Sequence, residues 1–452
     1  MTIALKHKPD IAVAHDRPRD LGDGLILRFA TPGDSEALAQ FNGRVLSDEG
    51  FSEGVAAWTR DFASEAHPTC GPSNVTLVED TRAGGKIVSS MCLIPQTWTY
   101  AGIPFGVGRP EAVGTDPAYR RRGLVRAQFE VHHARSAAMG HLVQGITGIP
   151  WYYRQFGYEY ALDLDGGRQI FLVNIPTPKD GEAKPYRLRP MTPDDLPFAA
   201  PLYERDCARW LVACPRPEWM WQYQLTGASP ASFESRPLQI VETAEGRAVG
   251  YVSPEREMWD GMFRVTELSV IEGQSLRAVM PSLLRALRVM AEAEAARRQK
   301  IADRLCFQMG QAHPVFDAIP ELLPQARPAY GWYIRVADLP GFLRHVAPAL
   351  EARLAPSVMA GYTGELKIHA YRSGFRLMFE QGRLTTVEPW RRPDGAREEA
   401  AFPPLVFLQL LFGFRSLADL RYVYPDCSAS DEAAVLLDLL FPRQPSFVFA
   451  LS

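Results

Sequence analysis

The sequence predicts a mixed α/β protein of the α+β kind, built from three successive blocks. Two observations carry that reading. A strand running into Leu-Arg-x-x-Thr-Pro-x-Asp and then a helix occurs at residues 25–46, and the same plan returns from residue 186. Such a recurrence marks an internal repeat. After Asp338 three strand-like runs, at 364–370, 375–381 and 383–389, lie between helical stretches, as expected of a small α+β unit. A chain of 452 residues has room for roughly two to four domains.

Taken in order, residues 1–22 mix both charge signs without a long apolar run and read as a flexible tail rather than a signal peptide. The first block spans 23–173. Residues 25–28 read as a strand and 31–33 as a turn, and Asp34 or Ser35 is placed to cap a helix to about residue 46. Residues 75–79, 86–93 and 98–103 read as strands separated by turns. Residues 112–115 read as a strand end, and Gly114-Thr115-Asp116-Pro117 supplies turn chemistry. Leu124, Ala127, Val131, Ala134 and Ala138 then fall at steps of three and four, one helical stripe that Gly140 stops. A short strand at 142–146 precedes the aromatic run Ile149–Tyr158, IPWYYRQFGY.

Residues 174–185, rich in Pro, Lys and Gly, read as a linker. The second block, 186–337, has strands at 238–242, 248–252 and 263–270 and an amphipathic helix at 276–293. The third, 338–452, has helices at 339–352, 405–412 and 433–441.

Composition excludes several classes. A net charge of −3 gives no bulk attraction to nucleic acid or anionic lipid. No apolar run approaches the ~20 residues of a membrane span. Six cysteines, with no CxxC pair and no His/Cys cluster, argue against a metal site or a disulfide framework and for a reducing cytoplasm.

Arg120, Arg121 and Arg122 stand in a strand–loop–helix junction, before Gly123 and Leu124. Cations disfavour a helix N-terminus. An anion there reverses the sign, because unpaired N–H groups and arginine forks both meet it. A diphosphate is the natural guest. The bland alternative is a solvated basic turn. In the second block the corresponding loop is Glu272-Gly273-Gln274-Ser275. It has no arginine, so a shared fold would leave the second block without the anion site.

VGTDPAYRRRGL followed by YYRQFGY resembles the two signature motifs of the GNAT N-acetyltransferases. The three-block plan more specifically resembles the Eis type (enhanced intracellular survival). There a catalytic GNAT domain, a degenerate GNAT domain and a sterol-carrier-like domain follow one another, and FPPLVFLQLLFGFRSLADL is similar to a stretch of the third. The resemblance covers about residues 23–452. It implies two tandem GNAT-like domains, the second degenerate, then a sterol-carrier-protein-like α+β domain. It implies acetyl-CoA as co-substrate, no metal, a small-molecule amine acceptor (aminoglycoside- or lysine-like in relatives), direct attack in a ternary complex, and a homo-oligomer, with a hexamer among its forms.

By the same resemblance, Val113, Gly114 and Thr115 hold the pantetheine through backbone groups. Arg120, Arg121, Arg122, Gly123, Leu124, Val125 and Arg126 form the pyrophosphate loop, with Val125 where the family pattern has a small residue. Gly148 and Ile149 line the cofactor. Acetyl transfer needs a neutral amine, a polarised carbonyl and a proton for the leaving thiolate. The family spacing to Gly157 makes Tyr153 the acid; a phenol is protonated at neutral pH. Trp151, Phe156 and Tyr158 read as packed aromatics. For the base, the resemblance points to the C-terminal carboxylate, here on Ser452, although family termini are often aromatic. Glu111 and solvent are the alternatives. His132 and His133 face different ways on a helix and read as solvated. Asp48, Glu49, Glu53 and Trp58 form a candidate acceptor wall.

Two other readings compete with the N-acetyltransferase. One is a carrier of apolar ligands resting on the third block. The other is a coenzyme A-binding protein without turnover.

Overall fold

The computed structural model describes residues 17–48, 50–178, 181, 184–371, 373–392 and 399–449. Among them the strands form three sheets. The first runs Arg19–Asp20, Leu25–Phe29, Val75–Asp80, Lys86–Tyr100, Ile103–Thr115, Val143–Ile146, Tyr330–Arg335, Glu159–Leu164. Val212–Ala213 pairs with the far end of Lys86–Tyr100. The second runs Gln325–Arg327, Gly167–Phe171, Arg304–Phe307, Met262–Val270, Ala248–Trp259, Gln239–Thr243, Tyr186–Pro190. The third runs Arg383–Pro389, Gly374–Glu380, Gly364–His369, Ala400–Ala401, Ser428–Ala429.

The sequence repeat has a physical basis in both sheets. Arg28 grips Asp34 with two N–H···O bonds of 2.8 and 2.9 Å and reaches Glu79 on the next strand. Arg189 does the same to Asp195, at 2.7 and 2.6 Å, and to Glu242. Thr31 and Thr192 open the helices with matching capping boxes, in which two side chains satisfy two orphan amides. Asp34 is thus the acid of the box, not a simple cap for the helix Ser35–Val45.

Other differences from the expected elements have local causes. Residues 86–100 form one strand, not two, because the turn sits at Ala101-Gly102, where both residues have positive φ. Residues 339–352 divide into the helices Leu339–His345 and Ala347–Leu354, the second opening on Pro348, which suits a first helical turn but not an interior. Residues 19–20 of the expected tail pair at the edge of the first sheet.

The block boundaries at 173 and 337 do not coincide with the sheets. Gly167–Phe171 lies inside the second sheet, and Tyr330–Arg335 lies inside the first, between Val143–Ile146 and Glu159–Leu164. Each sheet therefore holds a strand from beyond its own block.

Trp98, Tyr100 and Phe105 of the first sheet share one core with Phe342, Leu350, Phe412 and Leu437 of the third block. Full burial of side chains this size stabilises by about 1.5–3 kcal/mol each. Tyr100 also donates its hydroxyl to the Leu411 carbonyl at 2.8 Å. Among the described residues no helix is long and apolar enough to cross a membrane.

Candidate active site

The site begins where two parallel strands part. Ile103–Thr115 and Val143–Ile146 pair only at Val107–Val143 and Gly108–Gln144. Beyond those positions they splay, and a cleft opens between 109–115 and 145–148. On its other edge Ile103–Thr115 carries a bulge. Ser90 faces Gly114 and Cys92 faces Glu111, so Ala112 and Val113 together stand opposite Met91. Ala112 takes a φ of +51° to make the bend. A bulge leaves one residue out of the ladder and re-aims its neighbours, here at the cleft.

The arginine helix, Leu124–Ala138, brings its first turn to the same end, where Val125 packs in one cluster with Val113 and Ile146. Its cap, Gly123, has φ +77° and no side chain to offer, and its first turn holds no acid. An added Cβ on Gly123 would meet nothing within 4 Å. Arg120, Arg121 and Arg122 are exposed, and no carboxylate ion-pairs with them among the described residues. Arg126 is occupied, donating to Gln155 at 3.0 Å and lying 5.1 Å from the Phe156 ring. The Arg122 guanidinium lies 5.1 Å from the Tyr119 ring, and the loop thus combines open backbone donors with exposed guanidinium groups that no described carboxylate pairs, the donor set a pyrophosphate requires.

Tyr153 sits in a 3₁₀ turn, Tyr152–Phe156, and is only 3% exposed. Val113, Val125, Phe129 and Ile146 pack in one cluster with it. The fold thereby gathers the bulge, the arginine helix, the splayed strand and the tyrosine turn at one place. Burial, then the charge of Glu111, push the Tyr153 phenol well above its usual range, so it is neutral at physiological pH. Glu111 itself pairs with Arg109 at 2.5 Å, and the Arg109 guanidinium lies 5.3 Å from the Trp332 ring.

Several expectations are corrected. His132 is fully buried, with Nε2 2.9 Å from Thr76 Oγ1 and 3.2 Å from the Met91 carbonyl oxygen. His133 Nε2 lies 2.9 Å from the Tyr158 hydroxyl. Burial lowers both imidazoles to about 3. Neither is solvated, because this face of the helix lies on the sheet and the aromatic turn. Trp151 is 61% exposed rather than packed, its φ of +61° turning it outward. Ile149 is 50% exposed. In the proposed acceptor wall, Trp58 is buried between Phe62 and Phe233, and Glu53 is bound to Arg60 at 2.8 Å. Asp48 is exposed. Glu49 and Ser452 lie outside the described residues.

The approach of the C-terminal segment is defined to Phe449. The Leu211 N–H donates to the Pro445 carbonyl at 3.0 Å, and the Phe447 N–H donates to that of Val212 at 3.1 Å. Phe449 then lies 4.9 Å from the guanidinium of Arg236, which pairs with Glu234. Burial raises the Glu234 carboxyl, and Arg109 and Glu111 are among the charges it feels.

The second sheet repeats the strand pair but closes its cleft. Met262–Val270 and Arg304–Phe307 pair up to Val265–Phe307. Past that point His313 bridges the opening. Its Nδ1 accepts from the Val315 N–H at 3.2 Å, so Nε2 carries the hydrogen and donates to Leu268 O at 3.1 Å.

Sequence reasoning missed Arg109, Trp332 and the tyrosines beside it. The run YGWYIR at 330–335 was the available signal, an aromatic strand without an assigned partner.

Residues 27–161 match a family model described as acetyltransferase (GNAT) domain. No curated protein matches the sequence. Among solved structures, the chain is similar to an Enterococcus faecalis protein described as a probable N-acyltransferase, at 15% identity and TM-score 0.65, covering 95% of this chain and 100% of that one. A GCN5-related N-acetyltransferase from Kribbella flavida gives 17% and 0.59, over 95% and 98% of the two chains. Eis1 of Mycobacterium abscessus gives 16% and 0.57, over 95% and 100%. At these identities the likeness speaks to fold. The matched segment contains the cleft, the bulge and the arginine helix, and the chain is an acyltransferase carrying a GNAT acetyltransferase domain over residues 27–161.

Proposed function

We propose that the protein transfers an acetyl group from acetyl-CoA to the primary amine of a small acceptor, by direct attack within a ternary complex. The observation that carries this reading is the splayed, bulged strand pair at the head of a helix whose first turn is basic and uncapped. Acetyl-CoA supplies the thioester, an activated acyl group. Arg120, Arg121 and Arg122, with the amides at Gly123, Leu124 and Val125, hold its diphosphate. Backbone groups of Val113, Gly114 and Thr115 hold the pantetheine and polarise the carbonyl. Gly148 and Ile149 form the opposite wall.

Tyr153 holds the proton that the leaving sulfur takes up. The Ser452 carboxylate is the assigned base, and the course of the tail from Pro445 to Phe449, towards Glu234 and Arg236, supports it. Glu111 is the alternative; its carboxylate is already engaged by Arg109 at 2.5 Å. The third block is assigned as sterol-carrier-like on its α+β arrangement.

A panel of amines assayed with a free-thiol readout tests the reading. Acetyl-CoA-dependent thiol release with at least one primary amine supports it. Coenzyme binding without turnover on any amine rejects it in favour of a binding protein.

A further inference from the structure

The wall of the cleft at Gly148 and Ile149 is held by a strand from far along the chain. Tyr330 donates its hydroxyl to the Gly148 carbonyl at 3.0 Å, and Tyr333 donates to the Ile149 carbonyl at 3.1 Å. The Ile149 carbonyl also accepts from the Tyr152 N–H at 3.3 Å, which starts the turn bearing Tyr153. The Tyr333 ring stacks on Tyr160 at 3.9 Å and meets Tyr153 edge-on at 5.3 Å. Tyr160 crosses the strand over Gly331, where a Cβ would stand 2.6 Å from its ring, and brings its hydroxyl 2.7 Å from that of Tyr330. Gly148 itself has φ +100°, and an added Cβ would meet nothing within 4 Å, so no packing on that side holds the peptide in place of these bonds.

We propose that Tyr330 and Tyr333 are positioning residues for acyl transfer. By engaging two successive carbonyls they fix the 148–149 backbone so that it offers the coenzyme arm N–H donors rather than competing acceptors. Through the same loop they set the start of the Tyr153 turn. This rests on the acetyl-CoA reading above.

The test uses the full chain with Tyr330→Phe, Tyr333→Phe and, as control, Tyr203→Phe, whose hydroxyl meets the Cys214 carbonyl in the second block. Affinity for coenzyme A is measured by titration calorimetry, and thermal midpoints are recorded alongside. The first two variants are expected to raise Kd about fivefold each, the loss of one net hydrogen bond. The control leaves Kd unchanged, and all three keep similar midpoints. Tyr330 is exposed, so its variant keeps the fold even if Tyr333→Phe does not. Wild-type affinity in both tyrosine variants would overturn the proposal alone. Failure of the wild-type chain to bind coenzyme A would remove the acetyl-CoA reading and this proposal with it.

Discussion

Phe129 stacks on Phe156 with ring centroids 4.4 Å apart and planes 26° from parallel, which fastens the arginine helix to the turn that carries Tyr153. Phe129 is buried, and emptying such a position leaves a cavity. Phe129→Ala is expected to lose about 3–5 kcal/mol of stability, read by chemical denaturation. An unchanged denaturation midpoint would show that the two elements are held together elsewhere.

Arg121 and Arg122 carry the coenzyme prediction. Each is exposed and has no ion pair among the described residues, so Arg121→Ala and Arg122→Ala should leave the thermal midpoint in place. Each should weaken acetyl-CoA binding by about tenfold or more, the loss of a charge-assisted bond. Unchanged affinity in both variants rejects the pyrophosphate role of the loop.

Stoichiometry tests the second sheet. Its cleft is bridged by His313, and its loop at Glu272-Gly273 lacks arginine. Titration should therefore give one coenzyme A per chain. Two per chain would show that the bridge opens.

The proton path is tested at Tyr153 and at the chain end. Tyr153→Phe removes only a hydroxyl, and the ring still packs. Removal of residues 450–452 should act on the same step. Each should leave coenzyme binding intact and slow turnover by about 10²–10⁴, the range of a positioned acid or base. The two losses should not multiply, because groups acting as one unit are non-additive. Full turnover after the truncation moves the base to Glu111 or to solvent.

His132 predicts an acid limb in stability. Its folded-state pKa is lowered by burial to about 3, against 6.5 for a free imidazole. Between those values the unfolded chain binds more protons than the folded one, so stability rises with pH there. The contribution is complete above about pH 6.5 and drains as pH falls towards 3. Thermal melts from pH 7.5 to 5 should show a falling midpoint, with a shallower slope in His132→Asn. Parallel slopes would assign the limb to other groups.

Much of this was legible in the sequence where interactions are local. The repeated Thr-Pro-x-Asp needs only four residues to close a capping box, and the spacing from Leu124 to Ala138 fixes a helix face. The junction of Arg120–Arg122 and Gly123 with the start of that helix was legible for the same reason. What was hidden depends on distant pairing. Tyr330 and Tyr333 meet Gly148 and Ile149 only because a late strand enters an early sheet; the run YGWYIR signals an aromatic strand but not its partner. His132 was misread because a histidine on a helix shows no sign of the Thr76 and Met91 it meets. Trp151 was misread because its outward turn is set by a positive φ, to which composition is blind.

The exchanged strands fix when each sheet can first be complete during synthesis. While the first 173 residues leave the ribosome, the early sheet has a vacancy between Val143–Ile146 and Glu159–Leu164, and Gly167–Phe171 has no sheet of its own to join. The vacancy is filled only after Tyr330–Arg335 has emerged, some 170 residues later, by which time most of the second sheet exists to receive its own guest. The first sheet therefore receives its last strand only after most of the second is in hand, and a cut at the Pro-rich linker would separate each sheet from a strand it needs.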